Sequence, residues 1–150
     1  MRSLFLLGLL AILTFLACDD QRPQSEIDDE LIRNYLRDNN ITAERHSSGI
    51  YYVIQTPGTG SSPVANSLVK VKYKGYFLDG TVFDQTDGNN TLDISLQQTI
   101  SGWQIAVPLL KSGGKGTFYI PSGWGYGRFP PAGIPANAVL IFDIELISFR

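Results

Sequence analysis

Hydrophobic and polar positions alternate most regularly between residues 69 and 84. Successive side chains alternate between two faces: one face carries Val69, Val71, Tyr73 and Gly75, and the other carries Lys70, Lys72, Lys74 and Tyr76. A period of two with β-branched and aromatic residues on one side predicts a half-buried antiparallel strand. Asp79-Gly80 predicts a turn that folds residues 81–83 back beside it. If this second strand stays regular to its end, Phe83 and Asp84 point to opposite sides.

A helical period marks the segment before this strand. Apolar residues recur there every three to four positions, at Ile27, Leu31, Tyr35 and Leu36, and Asn39-Asn40 closes the segment. Ser25 followed by Asp28 has the form of a capping box, which places the start of the helix at Ser25. Because about four turns are marginal in isolation, the apolar stripe must dock. Two alternatives are open: the helix packs on its own domain, or it forms a dimer or partner interface.

The rest of the chain has the pattern of short strands around one short helix. Strands are predicted over residues 50–55, 92–96, 116–120 and 138–149. The helix covers residues 101–107, with Ser101 as a candidate cap and Pro108 ending or kinking it. One central helix against several antiparallel strands predicts an α+β domain.

Composition limits the possible functions. A chain of 150 residues with 43% hydrophobic and 17% charged content fits one domain with appendages. The net charge of −2 and the absence of a basic cluster argue against a nucleic-acid partner. The single histidine, His46, has no histidine or cysteine neighbours, and one cysteine cannot form an internal disulfide. We therefore expect neither a metal site nor a cofactor.

The first residues have the pattern of a targeting segment. Residues 4–16 are almost continuously apolar after Arg2, which predicts a signal peptide over residues 1–17. This run is shorter than the roughly 20 apolar residues of a transmembrane helix. Phe15-Leu16-Ala17-Cys18 resembles the lipobox of bacterial lipoproteins, so we expect lipidation of Cys18; the alternative is a plain secretory signal. The predicted organisation continues with a tether at 18–24, a helical extension at 25–48 and a domain at 49–150.

Five motifs occur together, in order and in register. They are Tyr73-Lys74-Gly75, Asp79-Gly80 with Phe83-Asp84, Ile100-Ser101-Gly102-Trp103, Ile120-Pro121 with Tyr126-Gly127, and the run from Leu140 to Leu146. In these motifs the chain resembles FKBP-type peptidyl-prolyl cis-trans isomerases, and in its tether and first helix it is similar to the envelope-attached lipoprotein members of Gram-negative bacteria. The resemblance implies a twisted five-stranded antiparallel sheet wrapped around one short helix, preceded by an N-terminal helix.

The resemblance also implies a site between helix and sheet. The expected catalytic residues are Asp84, a carboxylate at the pocket edge, and Tyr126, whose hydroxyl donates to the substrate carbonyl. The expected substrate-binding residues are Trp103 as the floor, the aromatic walls Tyr73, Phe83 and Phe142, the side walls Leu92, Thr99 and Ile100, and Ile134 in a flap over residues 127–138. Leu92 stands where many members of the family have Phe.

The implied function is isomerisation of X-Pro peptide bonds during folding of extracytoplasmic proteins. The reaction twists an amide against a barrier of about 18 to 20 kcal/mol and requires no covalent intermediate. Expected partners are proline-containing peptides, unfolded proteins, rapamycin-type macrolides and, through Cys18, the membrane of a Gram-negative cell envelope, on its periplasmic or outer-membrane face. Two alternatives stay open: a non-catalytic proline-peptide-binding subunit of an envelope complex, and a structural lipoprotein that interacts through residues 25–39.

Overall fold

The computed structural model describes residues 22–150. Its regular elements are helices α1 (Gln24–Asp38) and α2 (Ser101–Ala106) and strands β1 (Glu44–Arg45), β2 (Tyr51–Thr56), β3 (Leu68–Tyr76), β4 (Val82–Gln85), β5 (Leu92–Ser95), β6 (Lys115–Ile120) and β7 (Leu140–Phe149). The predicted signal peptide, Cys18 and the first part of the tether lie outside the described residues. Among the helices of residues 22–150, none has the length and apolarity needed to cross a membrane.

The strands form one antiparallel sheet in the order β1-β2-β6-β7-β3-β4, with β5 also paired to β3. β7 pairs with residues 69–76 of β3, whereas β5 pairs with residues 68–71 and β4 with residues 74–76. β4 and β5 therefore follow one another along the second edge of β3 as one interrupted strand. Counted in this way, and without the two-residue β1, the sheet has the five strands expected, and the predicted α+β class is confirmed.

The two helices cover opposite faces of this sheet. α2 buries Trp103 and Ala106 in a core that includes Phe118 and Ile144. α1 packs Ile32 and Leu36 against a second buried cluster built on Tyr51, Tyr119, Val139 and Ile141. Burial of a side chain such as Ile32, which has no exposed surface, contributes about 1.5 to 3 kcal/mol. Of the two alternatives for the first helix, packing on its own domain is the one observed.

Both predicted helix caps are wrong. α1 begins at Gln24 and is preceded by Pro23, which makes no side-chain capping bond. The Ser25–Asp28 capping box does not form because the Asp28 carboxylate bonds to Ser122, far along the chain. α2 begins at Ser101 itself, so its N-cap is Ile100, again without a side-chain bond. As expected, the α-helix stops before Pro108 and continues only as a short 3₁₀ turn.

Candidate functional site

A β-bulge within β4, at Phe83, decides where two key side chains lie. Gly75 pairs with Asp84 and Tyr76 pairs with Val82, so Phe83 has no residue opposite it on β3. The extra residue bends the strand and changes the direction of the side chains beside it. In a regular strand Phe83 and Asp84 would have pointed to opposite sides, but here both line the same cavity.

This cavity lies beside α2, between the helix and the sheet, and has a volume of about 220 Å³. Its lining residues are Tyr73, Phe83, Asp84, Leu92, Ile94, Gln98, Thr99, Ile100, Trp103, Tyr126 and Phe142. The structure thus brings together every sequence-predicted site residue of the described chain except Ile134. Two lining residues were not predicted. Ile94 follows Leu92 at the period of a strand, which could have revealed it, whereas Gln98 carries no comparable signal.

The walls and floor of the cavity are aromatic rings in edge-to-face contact. Trp103 is only 4% exposed, and its ring centroid lies 5.1 Å from that of Tyr73 and 5.4 Å from that of Phe142. Phe83 meets Phe142 at 5.5 Å and 90°. Gly75 permits this arrangement, since a Cβ at that position would lie 2.7 Å from Phe83 and 2.8 Å from Phe142. Such pairs hold one another in place and leave an apolar, preformed hollow.

The polar groups of the site lie at the edge of the cavity. The Tyr73 hydroxyl donates to Asp84 Oδ2 over 2.6 Å, and the carboxylate is otherwise open to solvent. Burial and the neighbouring carboxylate raise the pKa of Tyr73 far above its ordinary value. Burial, followed by the charge of Asp84, also raises the pKa of Tyr126. A tyrosine hydroxyl is protonated at neutral pH even at its ordinary pKa of about 10, so both hydroxyls can donate hydrogen bonds.

Tyr126 is carried by a tight turn that follows β6. A 3₁₀ turn over Ser122–Trp124 leads into it, and the Ser122 carbonyl accepts the N–H groups of Gly125 at 3.0 Å and Gly127 at 2.9 Å. Gly127 has a φ of +62°, which favours glycine. These bonds hold the Tyr126 side chain, 37% exposed, over the mouth of the cavity.

Ile134 lies beside the cavity and not in it. It lines an adjoining hollow of about 270 Å³ with Ala132 and Gly133. That hollow shares Phe83, Asp84 and Tyr126 with the first cavity, so the two are neighbours across the polar edge. The predicted flap thus borders the site without closing it.

A larger cleft, of about 510 Å³, lies between α1 and the segment from Pro121 to Arg128. Its lining includes Asp28, Arg45, Ser122 and Trp124. This cleft could not be predicted from the sequence, because its two sides come from distant parts of the chain. Within residues 22–150, no group of three or more His, Cys, Asp or Glu side chains is placed to hold a metal ion.

The chain is similar to known proteins in sequence and in structure. Residues 60–147 match the family model described as FKBP-type peptidyl-prolyl cis-trans isomerase. The chain is 43% identical over 104 residues to the FKBP-type isomerase FkpA of Aeromonas hydrophila, covering 69% of this chain and 39% of that protein. It is 44% identical over 105 residues to a probable FkpA of Neisseria meningitidis, covering 68% and 38%. The chain thus spans about two fifths of the length of these curated relatives.

Solved structures resemble both the domain and its helical extension. A peptidyl-prolyl isomerase of Pseudomonas syringae superposes with a TM-score of 0.70 at 33% identity, covering 86% of this chain and 97% of that one. FkpA of Escherichia coli superposes with a TM-score of 0.74 at 29% identity, covering 85% of this chain and 63% of that one. In each case the shared part is longer than the segment matched by the family model.

Proposed function

Because this chain belongs to the family of FKBP-type peptidyl-prolyl cis-trans isomerases, we propose that it catalyses the cis-trans isomerisation of X-Pro bonds in proteins that fold outside the cytoplasm. One observation carries the proposal above all. An apolar aromatic cavity, floored by Trp103, has two polar groups at its edge, Tyr126 and Asp84. This is a hollow of suitable size for a proline ring, beside a hydroxyl that can bind a carbonyl.

The aromatic cavity favours a twisted amide. A planar amide is stabilised by resonance and is more polar than a twisted one, so an apolar surrounding disfavours the ground state relative to the transition state. With the proline ring resting on Trp103, rotation takes place on the carbonyl side of the bond, at the edge of the cavity. The protein then contributes a cavity that fits the twisted amide and polar groups that bind it, and no covalent bond is made or broken.

The polar edge binds the rotating carbonyl. We assign Tyr126 as the donor to its oxygen, a role supported by its position in the lining at the edge of the cavity. We assign Asp84 as the negative charge near the carbon end of the same dipole, held in place by Tyr73. A preorganised donor of this kind is most effective where the charge distribution of the transition state differs from that of the substrate.

The remaining lining residues form the walls. Phe83 and Phe142 flank the ring site, and Leu92, Thr99 and Ile100 lie on the sides of the cavity. We propose that Ile134, in the adjoining hollow, contacts a residue next to the proline. Rapamycin-type macrolides are expected to occupy the same cavity.

For the location, we propose the cell envelope of a Gram-negative bacterium, with a lipid anchor at Cys18. The support is the sequence itself: an apolar run at residues 4–16, followed by Ala17-Cys18 and a polar tether. Durable attachment takes two membrane signals, such as two acyl chains. The test is incorporation of radiolabelled palmitate by the full chain, with Cys18→Ser as control; equal labelling of both would contradict the anchor.

The activity is tested by NMR exchange spectroscopy on a short Leu-Pro or Phe-Pro peptide, using residues 19–150. We expect accelerated cis-trans exchange that rapamycin blocks and Tyr126→Phe reduces. Tyr52→Phe is the matched control, because Tyr52 bonds Glu44 outside the cavity. Uncatalysed exchange takes about 10 to 100 s, so acceleration is easily measured. Peptide binding without acceleration would contradict the proposal and favour a non-catalytic binding subunit.

A further inference from the structure

A buried carboxylate of α1 contacts the turn that carries Tyr126. Asp28 is 1% exposed, and its Oδ2 accepts the N–H of Ser122 at 2.8 Å and the Ser122 hydroxyl at 2.7 Å. Its Oδ1 accepts Nε2 of Gln24 at 2.8 Å. A buried carboxylate is very costly unless donors of this kind surround it. The helix is therefore fixed to Ser122 by specific bonds in addition to its apolar packing.

Ser122 in turn holds both chain neighbours of Tyr126. Its carbonyl accepts the N–H groups of Gly125 and Gly127, which flank the tyrosine on either side. Ser122 thus bonds to α1 through its N–H and hydroxyl, and it closes the turn around Tyr126 through its carbonyl. Asp28, Ser122 and the Tyr126 turn form one continuous chain of hydrogen bonds.

The turn contacts both helices. Towards α2, a Cβ at Gly102 would lie 3.1 Å from the Trp124 carbonyl, so helix and turn are in close contact. On the other side the turn borders the cleft of about 510 Å³. On that side Asp28 bonds to Ser122, and the Ser48 carbonyl accepts the Trp124 indole N–H at 2.9 Å. The Asn137 N–H donates to the Gly127 carbonyl at 2.8 Å, at the other end of the turn.

From this arrangement we infer that Asp28 is a positioning residue for Tyr126, so that α1 serves the reaction as well as the fold. The inference rests on the proposed function, in which Tyr126 donates to the substrate carbonyl. Displacement of a catalytic group by about 1 Å can cost about a hundredfold in rate. A loosened turn therefore lowers turnover although Asp28 touches no substrate.

The test compares Asp28→Ala with Asp29→Ala in residues 19–150. Asp29 is the neighbouring carboxylate on α1, but its partners are Arg33, Arg45 and Tyr51, none of which belongs to the turn. We expect kcat to fall about tenfold in Asp28→Ala, with KM changed less than about twofold, because a donor to the transition state is misplaced. Asp29→Ala should stay within about twofold of the unmodified chain in both constants. Equal losses in the two variants would overturn the inference.

Rescue and a double-mutant cycle separate positioning from a general loss of structure. Asp28→Asn keeps an oxygen acceptor for Ser122 and should restore most of the turnover; a loss as large as that of Asp28→Ala would overturn the inference. In a Tyr126→Phe background, Asp28→Ala should cost less than about twofold, because the group that it positions is gone. A full tenfold loss in that background would equally overturn it.

Hydrogen exchange tests the arrangement independently of turnover. The amides of Gly125 and Gly127 should exchange about tenfold faster in Asp28→Ala than in Asp29→Ala, since their acceptor is no longer anchored. If the unmodified chain had no turnover, the proposed function would fail and these amides alone would decide the positioning role. Should Asp28→Ala not fold, Ser122→Ala removes one of the two donors to Oδ2 and should give about threefold effects in the same direction. Unchanged exchange in the folded variant would overturn the inference.

Discussion

The Tyr73 hydroxyl donates a hydrogen bond of 2.6 Å to Oδ2 of Asp84. The same tyrosine presents its ring edge-on to Trp103, with 5.1 Å between the ring centroids. One side chain of β3 thus connects the apolar floor of the cavity to the carboxylate at its edge. The orientation of that carboxylate is set by the rigid aromatic cluster beneath it.

Tyr73→Phe should lower kcat/KM about fivefold because it frees the Asp84 carboxylate while keeping the ring. The free energy of unfolding should fall by only about 1 kcal/mol, since the bond lies at an exposed edge. Peptide exchange kinetics and urea denaturation measure the two effects. Tyr52→Phe removes a comparable hydroxyl–carboxylate bond outside the cavity and should leave kcat/KM unchanged. A similar fall in both variants would argue against a specific role for Tyr73.

Tyr126→Phe and Asp84→Ala should each reduce turnover, by about tenfold to a hundredfold, with little loss of stability. Each change removes one polar contact at the edge of the cavity and leaves the aromatic cluster in place. The measurement is kcat/KM on an X-Pro peptide, with thermal unfolding as the check on fold. Unchanged turnover in the double variant would refute the roles assigned to both residues.

Trp103→Ala should damage both the site and the fold. Removal of a large buried aromatic side chain typically costs about 3 to 5 kcal/mol. Trp103→Phe should cost much less, because the Nε1 group makes no hydrogen bond within residues 22–150 and no such bond is lost with it. Urea denaturation of the two variants checks the difference. Equal losses would mean that a phenyl ring does not replace the packing of the indole, and would contradict the prediction.

Most of the cavity lining could be named in advance because the motifs that contain these residues resemble those of a known family. The alternation along β3 placed Tyr73 on the buried face, and the packing of α2 placed Trp103 beneath it. The direction of the Phe83 side chain could not be predicted from this alternation. Periodicity alone separates Phe83 from Asp84, and only the bulge of β4 brings the two side chains together. A bulge depends on pairing with another strand, and local pattern does not encode that pairing.

The features that could not be predicted from the sequence depend on contacts between distant parts of the chain. Asp28 has the spacing of a capping residue, but Ser122 offers it an N–H and a hydroxyl in a buried place, and these outweigh a local cap. The cleft beneath α1 is likewise built from segments far apart in the chain. Ile134 fell outside the cavity because the path of a loop is set by its closure at Gly127 and Asn137, whose backbones bond at 2.8 Å.

Stability should fall at alkaline pH, and Tyr119 should account for part of the loss. This residue is 3% exposed, and burial, with the nearby charges of Tyr35 and Asp143, raises its pKa to about 12. Below about pH 10 the phenol is protonated in both the folded and the unfolded chain, so it adds no pH dependence. Between about pH 10 and pH 12 the unfolded chain releases the proton first, and the free energy of unfolding falls by up to about 1.4 kcal/mol per pH unit.

Urea denaturation of the unmodified chain and of Tyr119→Phe, at several values between about pH 8 and pH 11.5, isolates this contribution. At the lower end the two chains differ only by the packing and solvation of one hydroxyl, which serves as the internal control. At the upper end the free energy of unfolding should fall less in Tyr119→Phe than in the unmodified chain, because phenylalanine has no proton to release on unfolding. A difference that stays constant across the range would mean that Tyr119 titrates alike in both states, and that its burial does not disfavour the phenolate.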